Sequence, residues 1–456
     1  MTLAKKISPY SIDETTFQDI DGVLSGWAWN TNRATTSLPI IHGAVTLTYS
    51  FPDSPSDYGK HYGINEQNSG FQALNATQIQ AAEFTIQQYD SVISDSSLHF
   101  REVSPGAAAD KDAIIRYAES NKPSTAWAYY PSELPEGGDV WLNNNRHNYD
   151  TPAPGNDAWD TFLHETGHAM GLKHPHEDVA GFGIVPLEHD SVEYSVMSYR
   201  SYVGGTIHGS YSNEEWGFPQ TLMMDDIAAL QYMYGADFKS HGGNTTYHWD
   251  PATGQLAISE NGGAWQFAPM PGADRVFMTV WDGNGADTYD FSSYTTNLAI
   301  DLQPGHWTQT DTSGNYQTAH LDFHENDTHL AAGNIANALL YYGDTRSLIE
   351  NAIGGSGDDT FVGNQTGNMF TGGAGADSFT GGGGADIFDF SGAGGGIDHI
   401  LDFNAGEGDK IAVHHAHYKM VATTNNWAEI LFTSGDAVIL NGIDYAAVQN
   451  NHPWIV

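Results

Sequence analysis

The chain has 456 residues, with 16 Lys and Arg against 56 Asp and Glu, and a formal net charge of −40. That length allows two or three domains with sizeable cores, and the charge excludes the basic surface that nucleic-acid binding requires. Cysteine is absent, which rules out disulfides and a thiol nucleophile, and no run of 18 apolar residues indicates a membrane span.

So acidic a chain repels itself unless cations neutralise it, and calcium is the obvious candidate. The opening Met1-Thr2-Leu3-Ala4-Lys5-Lys6 is basic but has no apolar stretch after it, so an N-terminal Sec signal is not expected. Residues 1–40 are polar and weakly patterned around Trp27-Ala28-Trp29. They read either as a leader removed on maturation or as an arm packed on the adjoining domain.

Val45 to Phe51 alternates as a half-buried strand does. Asn75 opens a helix carrying Ile79, Ala82, Ile86, Tyr89 and Ile93 on one face. Strands are predicted at Leu98 to Val103, Ala113 to Ala118, Ser124 to Tyr130 and Asp139 to Leu142. The third lies between Pro123 and Pro131, which suits a sheet edge because proline cannot donate to a central ladder. Such an edge can hold an extended peptide by strand addition.

Asn156 or Asp157 then caps a helix containing His164-Glu165-Thr166-Gly167-His168-Ala169-Met170-Gly171-Leu172-Lys173-His174. At about 100° per residue, His164 and His168 share a face and can share one tetrahedral zinc ion. Gly171 allows a left-handed turn that ends the helix and brings in His174 as third ligand. Three protein nitrogens leave one coordination position open, as catalytic zinc sites do. Glu165 sits beside that stripe, where a general base for water is needed. Met197, in Ser195-Val196-Met197-Ser198-Tyr199, can floor the site, and Tyr199 can bring its hydroxyl to the open side. Thr221 to Tyr234 reads as a helix ended by Gly235, closing a domain of residues 41–240.

Residues 241–456 differ in composition. From Gly354 four nonapeptides follow one another, GGSGDDTFV, GNQTGNMFT, GGAGADSFT and GGGGADIFD, with Phe361, Phe370, Phe379 and Phe388 in the eighth place. Asp359, Asn368, Asp377 and Asp386 hold the sixth, the pattern of a calcium-binding parallel β-roll. Asp282 to Tyr289 is an outlying unit of the same kind, and Asp402 and Asp409 are expected to close the last site. His414, His415 and His417 look like a metal cluster but read better as incidental surface histidines.

HETGHAMGLKHP, YSVMSY, MDDIAALQYMYG, IENAIGGSGDD and the nonapeptides together resemble the serralysin family, metzincin metalloproteases joined to a calcium-binding roll. The likeness runs from about residue 40 onward. It implies an α+β fold: a metzincin zinc-protease domain, with a twisted mixed sheet plus helices, followed by an all-β parallel β-roll and sandwich. It implies one catalytic zinc on His164, His168 and His174, Glu165 as catalytic base, Met197 in the Met-turn, and Tyr199 as a displaceable ligand. Ala126, Trp127, Ala128 and Tyr129 fall where the family pairs with substrate. Several structural calcium ions are implied at Gly355, Gly357 and Asp359; at Asn364, Thr366 and Asn368; at Gly373, Gly375 and Asp377; and at Gly382, Gly384 and Asp386. Upstream sites are implied at Asp282, Asn284, Gly285, Asp287 and Glu350, although Asn244-Thr245-Thr246-Tyr247 replaces the family's Arg/Gly/Asp cluster and Leu348 replaces a threonine ligand.

The resemblance further implies a secreted monomer that cleaves protein and peptide substrates. Its expected partners are a proteinaceous inhibitor and a type I secretion apparatus reading an uncleaved C-terminal signal. The alternative from another class is a calcium-roll adhesin with an inactive metzincin-like domain.

Overall fold

A computed structural model describes residues 9–29, 45–94, 97–103, 110–312, 316–323, 329–390, 395–413, 416–450 and 452–456. The parts of the N-terminal stretch at 1–8 and 30–44, and His414 and His415, lie outside the described residues. The chain divides into two compact units: residues 1–237 with 277–279 and 320–331, and the remainder.

The first unit contains β1 (Pro9–Ser11), α1 (Gln18–Asp21), β2 (Trp27–Trp29), β3 (Val45–Ser50), α2 (Ala76–Val92), β4 (Leu98–Glu102), β5 (Ile115–Ser120), β6 (Ala126–Ala128), β7 (Val140–Asn143), α3 (Asp157–Met170) and α4 (Met224–Tyr234). Five strands form one mixed sheet in the order β4-β3-β5-β7-β6. All neighbours run parallel except β6, which pairs antiparallel with β7 at the edge. β5 and β7 are buried along their whole length, as central strands covered on both faces are. Helix α2 starts where Asn75 predicts: its side chain accepts from the amides of Thr77 and Gln78, and Gln78 reaches back to the Asn75 amide. Ala82, Ile86 and Tyr89 of its inner face are buried.

Residues 9–29 are an arm built into this unit. β1 and β2 pair antiparallel, and Val23, Leu24, Ala28 and Trp29 are wholly buried. The Trp29 indole donates to the Ala169 carbonyl at 2.9 Å, and the Ser25 amide donates to Gly171 O at 2.9 Å. The arm therefore covers the C-terminal turn of α3.

The second unit is almost entirely β. After an antiparallel meander (Thr245–Trp249, Leu256–Glu260, Gln266–Phe267), the strands alternate between two sheets. Met369 pairs with Ile387 in one sheet, and Thr360 with Ser378 in the other, both parallel. Each nonapeptide thus supplies one strand, and two nonapeptides make one coil of a parallel roll. Phe361, Phe370, Phe379 and Phe388 fill the interior, with the Phe361 and Phe379 rings stacked at 4.8 Å between centroids. An antiparallel hairpin of 418–422 and 427–432 ends the second sheet. No helix among the described residues is long and apolar enough to cross a membrane.

Phe379 touches both the coil before it and the coil after it. Truncation to alanine should cost the second unit about 3–5 kcal/mol, read as a fall in its denaturant midpoint. A loss below about 1 kcal/mol would mean the interior collapses around the gap.

Candidate metal centres

Asn156 caps α3, accepting from the Trp159 amide at 2.8 Å, and Phe162, Leu163, Ala169 and Met170 anchor the helix in the core. His164 and His168 then project from one face, as their spacing of four dictates. The helix stops at Gly171, whose φ of 106° is left-handed, and the Leu172 amide closes the turn onto Gly167 O at 2.8 Å. The chain reverses and brings the His174 ring back over the other two.

The three imidazoles converge through the same atom. His174 Nε2 lies 3.2 Å from His164 Nε2 and 3.0 Å from His168 Nε2. Their other nitrogens face outward: His164 Nδ1 donates to Val196 O at 2.7 Å, and His168 Nδ1 to Leu172 O at 2.8 Å. A carbonyl can only accept, so each Nδ1 carries the proton and each Nε2 lone pair points inward. His174 Nδ1 lies 3.1 Å from Glu177 Oε2. Burial, the first cause in each case, lowers His164 to about 4 and His168 to about 3, and lowers His174 further still. The rings are thus neutral and ready to ligate.

Glu165 is buried beside them. Burial raises its carboxyl to about 8, partly offset by the Ala128 amide, and its Oε2 has no hydrogen-bond partner. Three inward nitrogen lone pairs and an unpaired carboxylate oxygen make a donor set that suits zinc. Met197 floors the site: it is fully buried, and a Cβ on Gly167 would stand 2.5 Å from its sulfur. Tyr199 is partly exposed, with its ring 4.2 Å from that of His174.

Of the four residues expected to pair with substrate, the edge separates two from two. Asn143 N donates to Thr125 O and Tyr129 N donates to Asp139 O, so alternate residues 125, 127 and 129 face β7. Ala126 and Ala128 direct their backbone groups to the open edge instead. Tyr129 lies one residue past β6, and its hydroxyl is held by Glu66. Of the four, Ala126 and Ala128 are thus the ones whose backbone groups are turned away from β7.

Two supports were not foreseen from the sequence. The Asp226 carboxylate, buried in the first turn of α4, takes Ser195 Oγ at 2.6 Å, Val196 N at 2.8 Å and Met223 N at 3.0 Å. It fixes the turn that carries Met197, and its bond to Met223 N sets the helix start three residues later than Thr221. Lys173, also fully buried, donates to the carbonyls of Gly22 and Gly183, tying the third-ligand turn to the N-terminal arm. A pair of acids opening a helix after the Met-turn was the only available sign of the first; nothing local marked the second.

In the second unit the implied calcium residues form two rows. A Cβ on Gly373 or Gly375 would run into the carbonyl oxygens of Gly355 and Gly357, and one on Gly382 into that of Asn364. Only glycine leaves these carbonyls free to converge on a cation. Asp359, Asp377 and Asp386 are buried, and Asp377 and Asp386 accept from the amides of Asp359 and Asn368 on the preceding coil. Burial raises Asp359 and Asp386 to about 6 and Asp377 to about 8. Asn364 Oδ1 accepts from Thr366, and Asn368 Oδ1 from the Asn364 amide. Asp402 accepts from the amides of Gly381 and Gly382, and Asp409 from that of Asp386, extending the second row. These carbonyls and carboxylates are the hard oxygen donors calcium takes.

Upstream, Asp282 accepts from Tyr247 Oη at 2.7 Å and from Asn284 N, while Glu350 accepts from Asp287 N at 2.8 Å. A Cβ on Gly285 would crowd Asp287 Oδ1 and Gly243 O. Burial pushes Asp282 and Asp287 up, with repulsion from Asp287 adding to Asp282 and from Glu260 to Asp287, and Asp287 Oδ2 is buried without a partner. Leu348 is buried and offers no side-chain oxygen.

Residues 236–328 and 310–450 match the family described as peptidase M10 serralysin C terminal. Serralysin C of Dickeya chrysanthemi is 32% identical over 364 residues, 77% of this chain and 64% of that protein. The chain is a homologue of the serralysins. Metallopeptidase AprA of Pseudomonas marginalis is 32% identical over 334 residues, 71% of the chain and 61% of the relative. Serralysin of Proteus mirabilis is 28% identical over 345 residues, 71% and 60% respectively. This serralysin homologue thus spans less than two thirds of the length of the relatives it matches.

A side chain at Gly171 needs an unfavourable left-handed conformation and would strike the Trp27 carbonyl. Gly171→Ala should therefore lose stability by at least about 1 kcal/mol and bind zinc more weakly in a chelator competition; unchanged affinity would free the third-ligand turn from this constraint. In the roll, folded carboxyls raised above the ordinary value of 3.8 hold protons that the unfolded chain releases. Their stabilisation is complete below about pH 4 and is lost as pH rises through about 6 to 8, the values of Asp359 and Asp377. With chelator present, the second unit should melt higher at low pH than at high pH. A flat profile would contradict it.

Proposed function

We propose that this chain is a secreted zinc-dependent endopeptidase acting on protein substrates, with a C-terminal roll stabilised by calcium. The observation that carries this reading is the convergence of three neutral imidazole Nε2 atoms beside a buried carboxyl group with one oxygen unpaired, next to an open sheet edge. The names of the relatives support it.

Zinc on His164, His168 and His174 would supply Lewis acidity, bringing the pKa of a water towards neutrality and polarising a carbonyl. The chain's own residues do the rest. Ala126 and Ala128 would align an extended peptide along β6 by strand addition. Glu165 would take the proton from the attacking water and pass it to the leaving nitrogen. The Tyr199 hydroxyl would donate to the oxyanion as it develops. Met197 would keep the rings seated without ligating.

Calcium in the turns would neutralise the acidic rows and join successive coils. Extracellular modules bind calcium at about 10⁻⁴–10⁻³ M, so the roll would fold outside the cell. Type I export, a proteinaceous inhibitor and a monomeric state complete the proposal as the family likeness suggests them. The intact Glu165 and the converging histidines weigh against the adhesin reading.

Casein hydrolysis with and without o-phenanthroline is the direct test: activity abolished by chelator and restored by zinc is expected, and chelator-insensitive hydrolysis overturns the assignment. Glu165→Gln should lose about 10²–10⁴-fold in kcat while keeping stoichiometric zinc; full turnover would remove Glu165 from its role. Calcium should raise the melting temperature of the roll by mass action, and a midpoint unmoved by EGTA would leave the acidic rows without their ion.

A further inference from the structure

A cleft of about 380 Å³ opens beside His164 and is lined by Glu165, Tyr199 and the Ala126 end of β6. Tyr149, Tyr211 and Phe218 are among its aromatic lining. The Tyr211 and Phe218 rings meet edge to face at 5.4 Å, and the Tyr211 hydroxyl is anchored on Ser198 O at 2.8 Å. These walls are therefore fixed.

The cleft also reaches Asp160, on α3 one turn before His164 and on the same face. Asp160 is 2% exposed, and its Oδ1 is buried without any hydrogen-bond partner. The ordinary explanation would be a carboxylate placed to cap the helix. The first turn does not need it: Asn156 takes the Trp159 amide, and the Asp160 amide is bonded to Asn156 O at 3.1 Å. Burial first, and then repulsion from Asp157 and Asp226, raises the Asp160 carboxyl well above the usual carboxylate range, so it ionises when a cation is brought against it. His147, the one basic side chain in the lining besides the zinc-site ring of His164, acts on Asp157. Among the described residues, no cation of the protein answers the Asp160 carboxylate.

A buried carboxylate without a donor is costly unless a ligand supplies one. The walls suggest which ligand. Aromatic faces accept the methylene stem of a long side chain and favour its cationic head. We propose that Asp160 makes this cleft a subsite for a basic side chain, lysine or arginine, at one position flanking the bond to be cut. The proposal rests on the peptidase reading and adds a substrate class to it.

The zinc-loaded full chain is given a peptide library varied at each position around the scissile bond, together with a matched lysine and norleucine pair, and cleavage is read by mass spectrometry. A preference for lysine and arginine over norleucine of roughly tenfold or more in kcat/KM is expected at a single position. Asp160→Asn should erase that preference, read as the ratio of kcat/KM for the lysine peptide to that for the norleucine peptide. Calorimetric titration of the Glu165→Gln protein with the same pair gives a readout free of turnover, with the lysine peptide binding roughly tenfold tighter. Cleavage without a basic preference, or a preference that survives both Asp160→Asn and Asp160→Leu, overturns the inference and leaves the peptidase reading standing. Absence of any cleavage overturns the peptidase reading. Equal affinities in the calorimeter then overturn the subsite as well.

Discussion

Imidazole nitrogens held about 3 Å apart in a dry interior repel one another through their lone pairs unless a cation lies among them. In this chain everything around His164, His168 and His174 enforces that approach. Main-chain carbonyls hold the outer nitrogens protonated, and burial keeps the inner ones bare. The turn at Gly171 folds His174 back, Met197 fills the space beneath, and Asp226 fastens the loop that carries it. The first unit can be read as a frame for this one unfavourable contact.

The second unit meets the same difficulty with opposite charges. Its coils bring Asp359, Asp377 and their counterparts into rows where carboxylates and carbonyls crowd together. The phenylalanine ladder inside holds the coils at a fixed spacing, so the rows cannot relax by spreading apart. In both units apolar packing on one side forces polar groups together on the other. A chain with a net charge of −40 and no disulfides has few other ways to become rigid.

How much of this the sequence disclosed depended on the range of the forces involved. The spacing of His164 and His168, the glycine at 171, the cap at Asn156 and the nine-residue register are each set within one or two turns of chain, and each was legible. So was the edge position of residues 126–128, from the flanking prolines. The alternation that turns Ala126 and Ala128 outward was not, because it depends on the register with β7. Asp226 and Lys173 were hidden for a similar reason, since their partners lie far away in sequence, and for the same reason residues 1–40 could be read equally as leader or as arm. Nothing local in the sequence sets Asp160 apart from Asp157 in the same first turn; its burial at the cleft does.

The bond between Lys173 and the Gly22 carbonyl joins positions 151 residues apart. Contacts so distant form late, since closing a long loop costs entropy before any packing repays it. Helix α3 aligns two of the histidines through its own spacing. The turn that carries the third gains its Lys173 anchor on Gly22 only when the N-terminal arm is docked. Assembly of the three-histidine cluster is thus coupled to a contact between distant parts of the chain.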